Sequence, residues 1–579
     1  MKMHATAFLL ASLASQLAVT AAKDESSSEL VSRDVNSSDL DSALYRRRGL
    51  HSMVVLGDYL YIEGGEISSY IDGNMTTNDP SIAINTTLSI PLNKSWTNAT
   101  VTFSETEKEE PLPGNNLGLW VNAKGSTMYR WGGDGWSGTT ELAADVHIWA
   151  FEADGEGSGS WSIIKDTFDD IKSAASGGVA SCGNTGFYVG GYGSNAADKR
   201  LEDTIFPDRV PLPGLITYNM SENTWTNEST VAMSPPYGTF NSGEAICISG
   251  FGSDDLVFTL SGDTSGRASA VREDSTLIGF SNITFYDTVQ KKWYSQEAGG
   301  DIPKAREEFC SVGVAGNGTY DIYIYGGEDR TTGTRSDIAV LSLPGFQWFS
   351  VNVTSPERLR HACALVGKSQ MLSLGGLTAE WDWADSDTWA QALGIFDLNT
   401  WEWSDKYDAD ADAYETPDAI VEWYEAGGMG DITWSQDDVK TMFASSSNWP
   451  KASSGKSNSK SDSDSNSDSN SDSGSDSSKE SDSGSKSNTG AIAGGVVGGV
   501  AAVAIAAAAF FLWRRKRRAG MKAVPTEELD SKTVPPVEKK PEPAHELSHD
   551  GQIPLELPDG TENKEKKSPK PSDTFELPG

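Results

Sequence analysis

The sequence predicts an all-β ectodomain built as a six-bladed propeller, followed by a disordered Ser/Asp-rich stalk, one transmembrane helix and a disordered cytoplasmic tail. Three observations carry this. A glycine pair recurs after a short β-rich run, an aromatic residue and a tryptophan follow at a near-constant separation, and apolar runs stand at the N-terminus and behind a Ser-rich tract.

The first element is MKMHATAFLLASLASQLAVTAA, in which Lys2 precedes an apolar run that ends in small residues near Ala21 and Ala22. This is the pattern of a secretory signal peptide, residues 1–22. An N-terminal segment, 23–50, follows and holds the ectodomain's one tight basic cluster, Arg46 to Arg48. Ten Asn-x-Ser/Thr sequons support passage through the secretory pathway: Asn36, Asn74, Asn85, Asn93, Asn98, Asn219, Asn227, Asn282, Asn317 and Asn352. None lies beyond the Ser-rich tract.

Residues 51–430 carry the repeats. The runs YLYIEGG, TMYRWGG, GFYVGG, DIYIYGG and QMLSLGG end at Gly64-Gly65, Gly132-Gly133, Gly190-Gly191, Gly326-Gly327 and Gly375-Gly376. The 136-residue gap between Gly190 and Gly326 is about twice the usual spacing and holds a degenerate copy, AICISGFGSDDLVFTLSG, which ends at Ser261-Gly262. Tyr218 and Trp225, Tyr286 and Trp293, Leu341 and Trp348, and Phe396 and Trp403 are each seven residues apart. The first copies are looser: one ends at Trp96, and in the other EADGEGSGS separates Trp149 from Trp161. A unit of three or four short strands buries only one face by itself, so such units must stack, and six arranged radially close a ring. Glycine permits the turn and the close approach, and each tryptophan is expected to fill the wedge between neighbours. VEWYEAGG, Val421 to Gly428, is expected to return a strand that closes the ring; a seven-bladed closure is the alternative.

The pattern of apolar run, glycine pair, aromatic residue and tryptophan resembles the kelch repeat over roughly His51 to Gly430. Together with the signal, stalk, span and tail it resembles fungal single-pass membrane kelch proteins. The resemblance implies a binding surface made by loops around the propeller. Galactose oxidase is related in its blades, but that enzyme needs two histidines, two tyrosines and a crosslinked cysteine on one copper. Here the mature ectodomain offers only His51, His147 and His361, and RRRGLHS and PERLRHA place two of these at equivalent repeat positions, which points to a structural role. No metal or cofactor is expected.

A linker, 431–452, leads into SSGKSNSKSDSDSNSDSNSDSGSDSSKESDSGSKSN, which has nothing apolar to bury and reads as a stalk over 453–490. Ala491 to Trp513 is 23 residues without a charge, about 34 Å as a helix and long enough to cross a bilayer. RRKRR, Arg514 to Arg518, keeps the C-terminal side cytoplasmic and the N-terminus outside. Gly490, Gly494 and Gly498, beside Gly495 and Gly499, have the spacing of a helix-dimer face. The tail, 514–579, repeats Glu-Leu at Glu528-Leu529, Glu546-Leu547, Glu556-Leu557 and Glu576-Leu577, candidate docking points for cytoplasmic partners.

The net charge of −37 argues against nucleic acid, which needs a basic stripe. DADAD, Asp408 to Asp412, opens like a calcium loop, but Ala413 and Ala419 stand where glycine and glutamate are needed, so it reads as a solvated acidic loop. Cys182, Cys247, Cys310 and Cys363 stand in four successive repeats at what look like equivalent positions. That register argues against pairing, while secretion and even number argue for it, and both states stay open. No catalytic constellation is evident. The expected function is that of a plasma-membrane receptor or adhesion protein binding a glycan or protein; the alternatives are a secretory-pathway carbohydrate-active oxidase or hydrolase, and a passive wall spacer.

Overall fold

The computed structural model describes residues 45–71, 74–75, 81–135, 146–165, 171–206, 208–252, 254–266, 275–379 and 382–444. The expected signal peptide, stalk, membrane span, tail and Gly490–Gly499 face, and Asn36, lie outside these residues. No helix among the described residues is long and apolar enough to cross a membrane.

Among the described residues, six main antiparallel sheets follow one another, each laid down in chain order from a first to a fourth strand, beside a smaller sheet of Tyr45–Gly49, Glu66–Ile71, Asn74–Met75 and Ile82–Ala83 and four two-stranded pairings. Sheet one comprises Ser52–Leu56, Tyr59–Glu63, Thr86–Pro91 and Ser104–Glu107, and sheet two Gly118–Val121, Thr127–Trp131, Ile148–Ala153 and Gly159–Lys165. Sheet three comprises Gly178–Cys182, Thr185–Val189, Leu215–Asn219 and Thr224–Glu228, and sheet four Glu244–Ile248, Leu256–Leu260, Asn282–Asp287 and Lys292–Glu297. Sheet five comprises Cys310–Ala315, Tyr320–Tyr325, Ile338–Leu343 and Gln347–Val351, with Gly299–Gly300 added in parallel, and sheet six Ala362–Val366, Gln370–Leu374, Leu393–Asp397 and Glu402–Ser404. First strands of successive sheets touch, and Ser52–Leu56 also touches Ala362–Val366, so the order closes on itself. The all-β propeller architecture read from the repeats is therefore present.

Each joint between neighbouring sheets has its own apolar cluster. Leu256 and Phe258 pack with Leu341 and Trp348 across the fourth and fifth sheets, and Leu60 and Leu88 with Leu372 and Leu393 across the first and sixth. Second strands such as Leu256–Leu260 and Gln370–Leu374 are buried at every residue, because neighbouring sheets cover both faces. That explains why they read as unbroken apolar runs.

The seven-residue spacing has a simple origin: Tyr218 and Trp225, Tyr286 and Trp293, Leu341 and Trp348, and Phe396 and Trp403 are cross-strand partners in the hairpin of third and fourth strands. Phe151 and Trp161 pair in the same way across the longer turn. Each of these tryptophans reaches back to the preceding sheet, as in the bond from Trp161 Nε1 to Thr87 Oγ1 and from Trp348 Nε1 to the Phe280 carbonyl. Trp348 is fully buried, whereas Trp161, Trp225, Trp293 and Trp403 are half-buried, since the fourth strand is the solvent-side edge. Trp96 departs from the expected place. It lies in the connection before the fourth strand, where Trp96–Thr97 pairs with Lys406–Tyr407 and its ring packs on Tyr407.

VEWYEAGG does not supply a strand. It falls in helix α1, Asp418–Glu425, which buries Ile420 and Tyr424 one turn apart, and Gly427 ends the turn at φ 89°. Helix α2, Asp437–Ala444, follows inside the segment expected to be a linker. Together they form a strap that runs back over sheets five and four: Tyr414 and Tyr424 join the cluster of the fifth and sixth sheets, Met442 and Phe443 that of the fourth and fifth.

The cysteines pair as Cys182–Cys247 and Cys310–Cys363, with Cα separations of 5.6 and 5.5 Å. The assumed common register is wrong: Cys182 and Cys247 lie late in their first strands, Cys310 and Cys363 at the start. Innermost strands converge near the axis, so neighbours come within disulfide reach.

Candidate functional site: the mouth of the axial channel

The residue two places before each first strand has a left-handed backbone although none is glycine: Leu50, Asn116, Ser176, Ser242, Glu308 and Arg360, with φ between 52° and 64°. Such a conformation is disfavoured for ordinary residues and persists only where surroundings fix it. Here the fixing is mutual. Asn116 N–H donates to Leu50 C=O, Ser176 to Asn116, Ser242 to Ser176, Glu308 to Ser242, Arg360 to Glu308 and Leu50 to Arg360, all at 2.7–3.3 Å. The bonds form a closed circle around the axis, one per sheet.

A second circle lies outside it, built by the glycine pairs. The amides of Gly65, Gly133, Gly191, Gly262, Gly327 and Gly376 donate to the carbonyls of Gly114, Ala174, Phe240, Arg306, Arg358 and Arg48 in the following sheet. The bond from Gly376 to Arg48 ties the last sheet to the first. A Cβ at Gly190 or Gly375 would overlap the carbonyl oxygen of Phe240 or Arg48, so these pairs are glycine because sheets meet there without room for a side chain. In sheet four Ser261 takes the first position at φ 42° and bonds Arg306 through its hydroxyl.

The inner circle rims a cavity of about 300 Å³ that runs into the axial channel. Met53, Leu119, Val179 and Ile246 supply apolar wall. Arg360 Nε is 2.8 Å from the Glu308 carboxylate at the rim. Glu244 opens the first strand of sheet four, and Ser311 Oγ of sheet five's first strand donates to its carboxylate at 3.4 Å. Burial pushes its carboxyl up to about 8, with the Ser311 bond opposing. Sequence reading missed Glu244. The signal is that the corresponding residues of the other sheets are Ser52, Gly118, Gly178, Cys310 and Ala362, all small.

His51 and His361 are buried beside the glycine pairs, His361 edge-on to Tyr325. Burial lowers both, His361 to about 3, so both are neutral and pack structurally, as their repeat positions suggested. His147 is half-buried against Trp149. Among the described residues, the three-ligand groupings of metal-binding side chains are Cys310, His361, Cys363 and Cys182, Cys247, Asp255, both built on disulfide sulfurs. Asp408, at the head of DADAD, is half-buried and bonded to Ser95 and Lys406.

Arginines leading into sheets five and six cross the glycine pairs: Arg306 bonds the Gly326 carbonyl and Asp337, and Arg358 bonds the Gly375 carbonyl and Asp387 while its guanidinium lies 3.8 Å from the Trp389 ring centre. They tie the long connections of second and third strands, through Asp337 and Asp387, to the glycine pairs.

Of the sequons, Asn93, Asn227, Asn282, Asn317 and Asn352 are exposed, and Asn85 and Asn219 half-buried. Asn74 lies in the short strand Asn74–Met75. Asn98 is buried and its amide donates to the Leu393 carbonyl at 2.9 Å, so the folded chain does not present it.

Residues 254–464, from within sheet four through the strap, match the family model of the KLHDC2/KLHL20/DRC7 kelch-repeats domain, which supports a kelch-repeat protein. Comparison with curated proteins returned no match.

Proposed function

We propose that the chain is a single-pass plasma-membrane protein whose extracellular propeller, a ring of six blades, binds a protein or glycan partner at its channel mouth. The observation that carries this is the division of labour between the two faces. Ring residues and the long connections after the glycine pairs share one face, while the strap contacts the opposite turns, Gly252 N–H bonding the Met442 carbonyl and Gly345 N–H the Tyr424 hydroxyl. No strap residue is among those lining the cavity, so among the described residues the strap leaves the mouth uncovered. Loops on a rigid scaffold are where recognition sites are usually built, and kelch domains generally mediate protein interactions. Glycans at the exposed sequons, a homodimer through Gly490, Gly494 and Gly498, and cytoplasmic partners on the tail belong to the same reading.

The test is proximity labelling and glycan-array binding with the intact chain, beside a Ser176→Trp, Ser242→Trp variant that narrows the mouth. Labelled partners or bound glycans should disappear in the variant while surface display persists. Unchanged binding, or copper-dependent peroxide release on sugars, would overturn the proposal.

A further inference from the structure

We propose that the axial cavity takes the cationic end of a lysine side chain from a protein partner, with Glu244 as its counter-charge. This rests on the mouth being the recognition face and names the chemistry recognised there. A glutamate at a position otherwise held by small residues inserts a carboxyl into the inner wall, and among the described residues its one hydrogen bond is the long one from Ser311 Oγ. The other charges lining the cavity do not answer it: Arg360 is held by Glu308, and His51 and His361 are neutral. A carboxylate left in a partly desolvated wall gains most from a cation that reaches it.

The cavity's shape selects among cations. Glu244 belongs to neither three-ligand grouping among the described residues, so a divalent metal lacks the set of hard oxygen donors it requires. The cavity is also lined, further along the first strands, by the apolar side chains of Met53, Leu119, Val179 and Ile246, which suit the alkyl stem of a cation rather than a fully hydrated ion. Among the described residues lining the cavity the one benzene ring is that of Phe309, with no tyrosine or tryptophan beside it to stack a sugar ring. Docking of an ammonium group deprotonates Glu244, so affinity should rise with pH from 6 to 9. The other titratable groups lining the cavity, all just before first strands, are His51, Glu308, Arg360 and His361, and the two histidines stay neutral throughout that range.

The full chain, solubilised in detergent, is titrated with the capped peptide Ac-Ser-Gly-Lys-Gly-Ser-amide, with its norleucine counterpart, and with 1,5-diaminopentane. The lysine peptide should bind at least tenfold more tightly than the norleucine peptide, and Glu244→Gln should abolish that difference. In the wild-type chain the difference should widen at least threefold between pH 6 and 9, a readout that stands if the variant misfolds. Binding of the diamine but not the peptide would keep the cation site and assign it to free amines. Equal binding of the two peptides with no binding of the diamine, or a Glu244→Gln chain that binds as wild type, would overturn the inference. If mouth-narrowing substitutions abolish partner capture while Glu244→Gln leaves it intact, the cation site falls and the mouth reading stands.

Discussion

At Gly190 the chain turns with φ 67° directly against the Phe240 carbonyl, and at Gly279 it runs with only Ser281 Oγ nearby, at 3.7 Å from an added Cβ. Gly190→Ala should therefore destabilise the fold by about 2–4 kcal/mol, from left-handed strain plus overlap with backbone, while Gly279→Ala stays within about 0.5 kcal/mol. Denaturant unfolding midpoints compare the two. Glu244 gives a pH signature. Its folded carboxyl titrates at about 8 against an ordinary 4.5, so the stabilisation from holding its proton is complete below the ordinary value and lost as pH rises through about 8. The melting temperature of the wild-type chain should fall between pH 6 and 9 more steeply than that of Glu244→Gln, as scanning calorimetry would detect. The glycine pairs were legible in the sequence because their backbone demand favours glycine, and only sheet four departs, with Ser261 at the first position. The mouth residues were not. Leu50, Asn116, Ser176, Ser242, Glu308 and Arg360 share a backbone conformation and no side-chain property, so nothing in their identities marks them.

Among elements, the hairpin of third and fourth strands was readable because pairing fixes the distance between aromatic and tryptophan. The strap was not, for VEWYEAGG imitates YLYIEGG in composition. The helical signal was present all the same: Ile420 and Tyr424 are buried four apart, and Asp418 stands in the first turn, where a negative charge suits the helix dipole. Phe443, packed among Phe251, Phe258, Phe285 and Phe346, anchors the strap's end. Phe443→Ala should cost about 3–5 kcal/mol and expose the strap to limited proteolysis before the sheets unfold. The disulfides join sheets three to four and five to six. Replacing Cys182 and Cys247 together by serine should cost about 2–4 kcal/mol in chemical unfolding without loss of strand content.

For the molecule as a whole, no sheet has a core of its own, and the apolar clusters lie at the joints. Stability must then be shared around the ring, and the joint of the sixth and first sheets, where Gly376 meets Arg48 and Leu50 meets Arg360, is where the last sheet in the chain meets the first. Trp96 on Tyr407 and Asn98 on Leu393 thicken that joint, which is why the first repeat departs from the tryptophan spacing kept by the later ones. Closure is the premise of the binding face, because an open arc would have no rimmed cavity to present. Amide hydrogen exchange of the intact chain measures closure directly. The account predicts that the amides of Leu50, Asn116, Ser176, Ser242, Glu308 and Arg360 are protected together and exchange only at the rate of global unfolding. Fast exchange at Leu50 and Gly376 beside slow exchange at Ser242 and Glu308 would mean that the circle is broken.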